Sequence, residues 1–242
     1  MHRECVSHET NDTMAVTINV TGTSTIYHHP DQAVLSVHIQ SEGPSRNLVS
    51  SYVTTRSNLL QRHLRDFVPR NSSGQISMEA PVSNIVIGSE RSWSTVPRDR
   101  NGHPLDRVYH ASTDVEITFR NFTKLGKIAK CLITEENVEV SKIVWQLTKD
   151  TREVLGVESR KQAMKDAIRR AQDYAAVIGK EVEPMLITDR ESTSTIGTAK
   201  CMAVNANIGA GEEDSLDLAP PDIEFHCSVE VQFRSAGSGK CD

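Results

Sequence analysis

The sequence predicts an α+β fold, with antiparallel sheets built from hairpins and three helices packed on them in the order ββ-α-ββ-α-β-α-ββ. Three observations carry this prediction. Ala163, Ala167, Ala171 and Ala175 recur at four-residue spacing within the helical stretch 158–178, so one small apolar stripe faces something flat. Ile223, Phe225, Cys227, Val229, Val231 and Phe233 alternate without a break against polar or charged residues, the mark of a strand with one dry face. Asn101-Gly102 separates two extended runs, 75–96 and 105–119, and Asn-Gly favours the type I′ hairpin turn because that turn needs positive φ at both central residues.

Residues 1–13 are polar and aperiodic and are expected to be a disordered leader to one folded domain over 14–234, with 235–242 a disordered tail. Val16, Ile18 and Val20 alternate with polar neighbours, and the strand continues to Tyr27. After His28-His29-Pro30-Asp31, residues Ala33, Leu35, Val37 and Ile39 alternate again, which reads as a β-hairpin. Residues 44–67 read as a helix with Ser45 as its cap and Leu48, Tyr52, Leu59, Leu60, His63, Leu64 and Phe67 near one face. Asn121 is placed to cap a short helix in which Phe122, Leu125, Ile128, Ala129, Leu132 and Ile133 face inward. In the strand 138–147 the apolar phase slips between Val140 and Ile143, which predicts a bulge near Ser141-Lys142. Gly179 ends the long helix by supplying a left-handed residue at no steric cost. An apolar segment, 182–188, follows it. Residues 190–221 turn to Ser, Thr, Gly, Ala and acid and read as a long loop before the final strand.

The chain has 242 residues and a net charge of -5, from 27 basic and 32 acidic side chains. With both signs scattered and few aromatics, it carries no footprint for nucleic acid. No apolar run is long enough to span a bilayer, and the N-terminus lacks the apolar core of a signal peptide, so a cytoplasmic location is expected. The five cysteines, Cys5, Cys131, Cys201, Cys227 and Cys241, are widely spaced without a C-x-x-C pair, which fits a reduced compartment.

No stretch declares a reaction, and no cofactor is expected. His28, His29 and Asp31 are the candidate metal ligands, being acceptable donors for zinc, but adjacent histidines rarely aim at one ion and Pro30-Asp31 reads as turn chemistry. His226 adjoins Cys227, yet neighbours in a strand point to opposite faces, so the two do not act on one another. Cys131 and Cys227 read as packing residues, and Cys201, in the loop, as the thiol most open to oxidation. Candidate interface residues are Trp93, Arg98 and Arg100 at the hairpin tip and Ile196, Met202 and Ile208 in the long loop.

Four stretches in this order, INVTGTSTIYHHPDQAVLSVHI, DRNGHPLDRVYHASTDVEITF, ESRKQAMKDAIRRAQDYAAVIGKEV and PPDIEFHCSVEVQF, together resemble the SIMPL-domain family over roughly residues 14–234. The resemblance implies an α+β domain without an established catalytic residue set. It also implies kinship with bacterial periplasmic proteins linked to oxidative-stress defence, some of them ring- or channel-like oligomers, and with an animal adaptor that binds a receptor-associated kinase. The chain departs from the bacterial pattern in its polar leader and in Pro221-Asp222, where many relatives have Pro-Gly. The expectation is a non-enzymatic, self-associating intracellular binding, adaptor or stress-related module, a homo-oligomer that also takes another protein as partner. The final strand is the segment expected to extend a sheet between protomers. The alternative is a metal- or thiol-dependent stress-defence enzyme.

Overall fold

The computed structural model describes residues 15–69, 76–77, 79–190, 193–194, 197–199 and 218–235. The described residues fall into two compact units, one within Met1–Tyr27, Asp150–Thr195 and Glu224–Asp242, the other within His28–Lys149 and Ile196–Ile223. Both units pair antiparallel strands and carry helices, which is the α+β architecture read from the sequence.

In the first unit, β1 (Thr17–His28), β10 (Ile223–Ser235) and β7 (Val182–Asp189) lie in the order β1-β10-β7, and β8 (Thr193–Ser194) also pairs with β10. Helix α3 (Lys149–Val177) begins earlier than its alanine pattern, and it buries Ala163, Ala167, Ala171 and Ala175. These alanines pack with Val20, Cys227, Val229, Val231 and Phe233, so the small stripe does rest on a sheet. The contact is close at Gly22, where an added Cβ would stand 2.0 Å from the Ala163 carbonyl oxygen. Beside it the Ser24 and Ser159 hydroxyls meet at 2.9 Å in the buried interface, and the Thr23 N–H donates to Asp166 Oδ2 at 3.1 Å. Asp166 also holds Arg169 and Arg170, both at 2.8 Å. The Arg169 hydrogen bond first, then the Thr23 amide and the charges of both arginines, keep its carboxyl below the usual aspartate range. Gly179, at φ 63, closes α3: its N–H bonds to Ala176 O at 3.3 Å and that of Lys180 to Ala175 O at 3.1 Å, the paired bonds of a Schellman cap.

In the second unit the sheet order is β3-β5-β2-β6-β9, with β4 also on β5; the strands are β2 (Gln32–Gly43), β3 (Val82–Ile87), β4 (Arg91–Thr95), β5 (Val108–Phe119), β6 (Val138–Gln146) and β9 (Gly197–Ala199). Helices α1 (Arg46–Arg65) and α2 (Phe122–Ile133) cover the face that carries Ala33, Leu35, Val37 and Ile39 of β2 and Val115, Ile117 and Phe119 of β5, all buried. Asn121 caps α2 as its sequence position implies, accepting the Lys124 N–H at 2.9 Å. Ser36 pairs with Lys142 and Val37 with Val140, so Ser141 is the extra residue of the expected bulge.

Several expectations are corrected. β1 and β2 do not form a hairpin: β1 joins β10 and β2 joins β5 and β6, because alternation specifies a strand's faces and not its neighbours. β10 is internal, flanked by β1 and β7, so it does not offer an edge; its alternating burial reflects that central place. Ser45 precedes α1 without a side-chain cap bond, and the buried row is Val49, Val53, Ser57, Leu60 and Leu64, which leaves Leu48 69% exposed. Ile133, expected inward on α2, is exposed. The 99–102 turn is not type I′. Gly102 has φ 86, whereas Asn137 alone among the described non-glycine residues has positive φ. Asp99 instead organises the tip: its Oδ1 accepts the N–H groups of Asn101 and His103, each at 2.8 Å.

Candidate functional site

Because residues alternate along a strand, the face of the second unit's sheet opposite its helices is built from rows that run across the strands. Trp93 of β4 pairs with His110 of β5, and His110 pairs with Glu42 of β2, so three functional side chains share one row. The next row sets Arg91 beside Ser112 and Gln40, and the one after sets Asp114 beside His38.

The row geometry produces direct contacts. The Trp93 and His110 rings stack with centroids 5.2 Å apart and an interplanar angle of 10°. His110 Nε2 lies 2.9 Å from Thr95 Oγ1, and its Nδ1 lies 3.5 Å from Glu42 Oε2. These bonds fix the imidazole, which in turn supports one face of the indole, while 47% of Trp93 stays open to solvent. In the third row His38 Nδ1 meets Asp114 Oδ1 at 2.7 Å and Arg91 pairs with Asp114 Oδ2. Those two contacts, His38 first, hold the Asp114 carboxyl below the usual range. Arg91 is thereby committed to a carboxylate on its own sheet.

Strand β6 starts opposite Ile39, so beyond that point Asn137 takes the place of a neighbouring strand and accepts the Gln40 N–H at 3.0 Å. Its φ of 61 turns the chain there, and its Nδ2 donates to the Tyr52 hydroxyl at 3.3 Å. Tyr52 donates to Glu136 O at 3.2 Å and accepts from Arg56 Nε at 3.3 Å, and Arg56 Nη1 bonds Glu135 at 2.8 Å. The Asn137 and then the Arg56 hydrogen bond lower the Tyr52 pKa from the ordinary phenol value. This network ties the turn after α2 to α1. Gln40, Ser41, Glu42, Trp93, His110, Ala111 and Asn137 together line a cavity of about 250 Å³. Its lining carries two stacked rings, a carboxylate and three neutral polar side chains.

Of the residues singled out from sequence, Trp93 alone reaches this site. Arg98 and Arg100 are exposed near the hairpin tip, Arg98 donating to Gly102 O at 2.9 Å. Ile196, Met202, Ile208 and Cys201 lie outside the described residues. His28, His29 and Asp31 take different partners: His28 Nδ1 meets the His29 carbonyl at 2.6 Å, His29 meets Asp222 at 2.7 Å, and Asp31 Oδ2 accepts the Thr148 N–H at 2.9 Å. Among the described residues no group of three or more His, Cys, Asp or Glu side chains is placed to hold a metal ion. Cys131 is exposed on α2 rather than packed, whereas Cys227 is buried as expected. Among the described residues no helix is long and apolar enough to cross a membrane. Glu42 and Asn137 escaped the sequence reading because their relevance depends on register and on one backbone angle.

Comparison with known families matches a family model described as "SIMPL: Protein of unknown function (DUF541)" to residues 18–233. No curated protein matches the chain.

Proposed function

The chain belongs to the SIMPL family, and from that premise we propose that it works as a self-associating protein-binding module, with β7 as the edge through which copies meet. The carrying observation is the state of that strand. Among the described residues β7 pairs with β10 along one side only, and Met185, Leu186 and Ile187 are 61%, 57% and 56% exposed in succession, so the middle of the strand is open and apolar. An exposed apolar edge is a template for another strand; Pro184, which has no N–H to donate, limits the free ladder of β7 to the residues from Met185 onward. The opposite edge, β1, is covered where Asp166 accepts the Thr23 N–H. Antiparallel self-pairing of β7 about Met185 and Leu186 sets Glu183 against Thr188 rather than against a second carboxylate, the self-complementarity a two-fold interface requires. The reading as an intracellular adaptor or stress-related module rests on the family resemblance and on the scattered cysteines. Hydrogen exchange tests the edge: dilution should deprotect amides of 182–189 while those of central β10 stay slow. Exchange at β7 that is fast and independent of concentration would remove the proposal.

A further inference from the structure

We propose that a second cavity, on the helix-free face of the second unit's sheet, binds a free α-amino acid with an aliphatic side chain and holds it by both of its charges. The proposal goes beyond the binding-module reading, and β7 has no part in it. One row beyond Asp114 and His38, the strand registers set Val86 of β3 beside Glu116 of β5, Glu116 beside Ser36 of β2, and Ser36 beside Lys142 of β6. The next row sets Asn84 beside Thr118, Thr118 beside Val34, and Val34 beside Val144. Both rows line a cavity of about 360 Å³, inside the usual range of about 300–1,000 Å³ for small-molecule sites.

The two charges of the cavity stand apart and are unspent. Glu116 and Lys142 lie on strands separated by β2, so their backbones are roughly 9–10 Å apart, twice the spacing of neighbouring strands. Both are exposed, and among the described residues neither side chain makes an ion pair or a hydrogen bond. Asp114, the preceding carboxylate on that face of β5, is by contrast already held by His38 and Arg91. Ser36 has the shortest side chain of the row, so no bulky group separates the carboxylate from the ammonium. A carboxylate only accepts and an ammonium only donates, so a ligand lying between them needs its own ammonium toward Glu116 and its own carboxylate toward Lys142. A ligand with a single charge satisfies one of the two and is repelled by the other. The remaining surface suits an aliphatic group: Val34 is half-buried, Val144 is 9% exposed and Val86 is 49% exposed, and no aromatic ring stands among the described lining residues.

The test is a titration with L-valine followed by the NMR shifts of the Val34, Val86 and Val144 methyl groups. The expected result is saturable shifts at those methyls with a Kd in the millimolar range, because the ligand stays partly hydrated on an exposed face. N-acetyl-L-valine lacks the ammonium, L-valinamide lacks the carboxylate and glycine lacks the aliphatic group, and each should bind more weakly by about tenfold or more. Glu116→Gln should abolish the advantage of valine over N-acetyl-valine while keeping its advantage over valinamide, and Lys142→Gln should do the reverse. Both positions are exposed, so the circular dichroism of the variants should match wild type. No saturable shift with valine, equal binding of either singly charged analogue, equal binding of glycine, or variants that lose no discrimination would each overturn the proposal. The same titration on Leu186→Lys should match wild type, so the outcome for β7 and the outcome for this cavity are read separately.

Discussion

Replacing Gly22 with alanine tests how the first unit is held together. The new Cβ would stand 2.0 Å from the Ala163 oxygen, 2.6 Å from the Ala167 nitrogen and 2.7 Å from the Ala167 Cβ. Non-bonded heavy atoms rest at roughly 3.5 Å, so α3 must withdraw by about 1.5 Å, and because two of the three obstructing atoms are backbone no rotamer change relieves it. Withdrawal opens a gap along Ala163, Ala167 and Ala171, which are fully buried against β10. Overpacking costs about 1–3 kcal/mol even where side chains adjust, and with backbone on both sides the upper end or beyond applies. Alanine recovers about 0.5–1 kcal/mol of the conformational freedom that glycine loses, leaving a net destabilisation of roughly 2–3 kcal/mol. Urea denaturation followed by circular dichroism should show an earlier midpoint, and hydrogen exchange should show deprotection concentrated in 149–177. Gly102→Ala is the contrast: nothing lies within 4 Å of its Cβ position, so the cost is confined to the positive φ, about 1 kcal/mol. If Gly22→Ala unfolds at the wild-type midpoint with α3 protection unchanged, the close seating of α3 on β1 is wrong.

The remaining predictions concern single bonds. Asn121→Ala removes the cap on Lys124 and should destabilise α2 by about 1 kcal/mol, read as an earlier urea midpoint. Asp166→Asn should lower stability at neutral pH by weakening the hold on Thr23 and both arginines. Since folding depresses the Asp166 pKa, its contribution is present above the ordinary aspartate value of about 3.9 and is lost as pH falls through the lower folded value. The gap between wild type and variant should therefore be constant from neutral pH to about pH 5 and close below it, and a gap that widens in acid would contradict the assignment.

The elements were largely legible in the sequence, because each depends on periodicity or on one residue's backbone chemistry. The alanine row of α3, the Gly179 stop, the Asn121 cap and the Ser141 bulge all follow from local rules that the tertiary structure obeys. Partnering was not legible. His28 to Asp31 looks like a hairpin turn, yet the strands on either side enter different sheets, since nothing in β1 or β2 names the strand it will meet. Gly22 gave no sequence signal distinguishing it from a strand glycine of no consequence. The candidate site fails in the same way: Trp93 is conspicuous as an aromatic in a polar run, but Glu42 joins it only through the β2–β5–β4 register. Tyr52 reads as one more apolar helix residue until its hydroxyl is seen to anchor Asn137.

Self-association through β7 is the central claim, and the mass of the chain in solution tests it most directly. Multi-angle light scattering across a wide concentration range, on wild type and on Leu186→Lys, places a charge on the open edge without touching a buried residue. The account predicts a wild-type mass at a multiple of the 26.8 kDa chain and a smaller assembly for the variant. A wild type that stays at one chain mass throughout, or an oligomer that Leu186→Lys leaves intact, would contradict it.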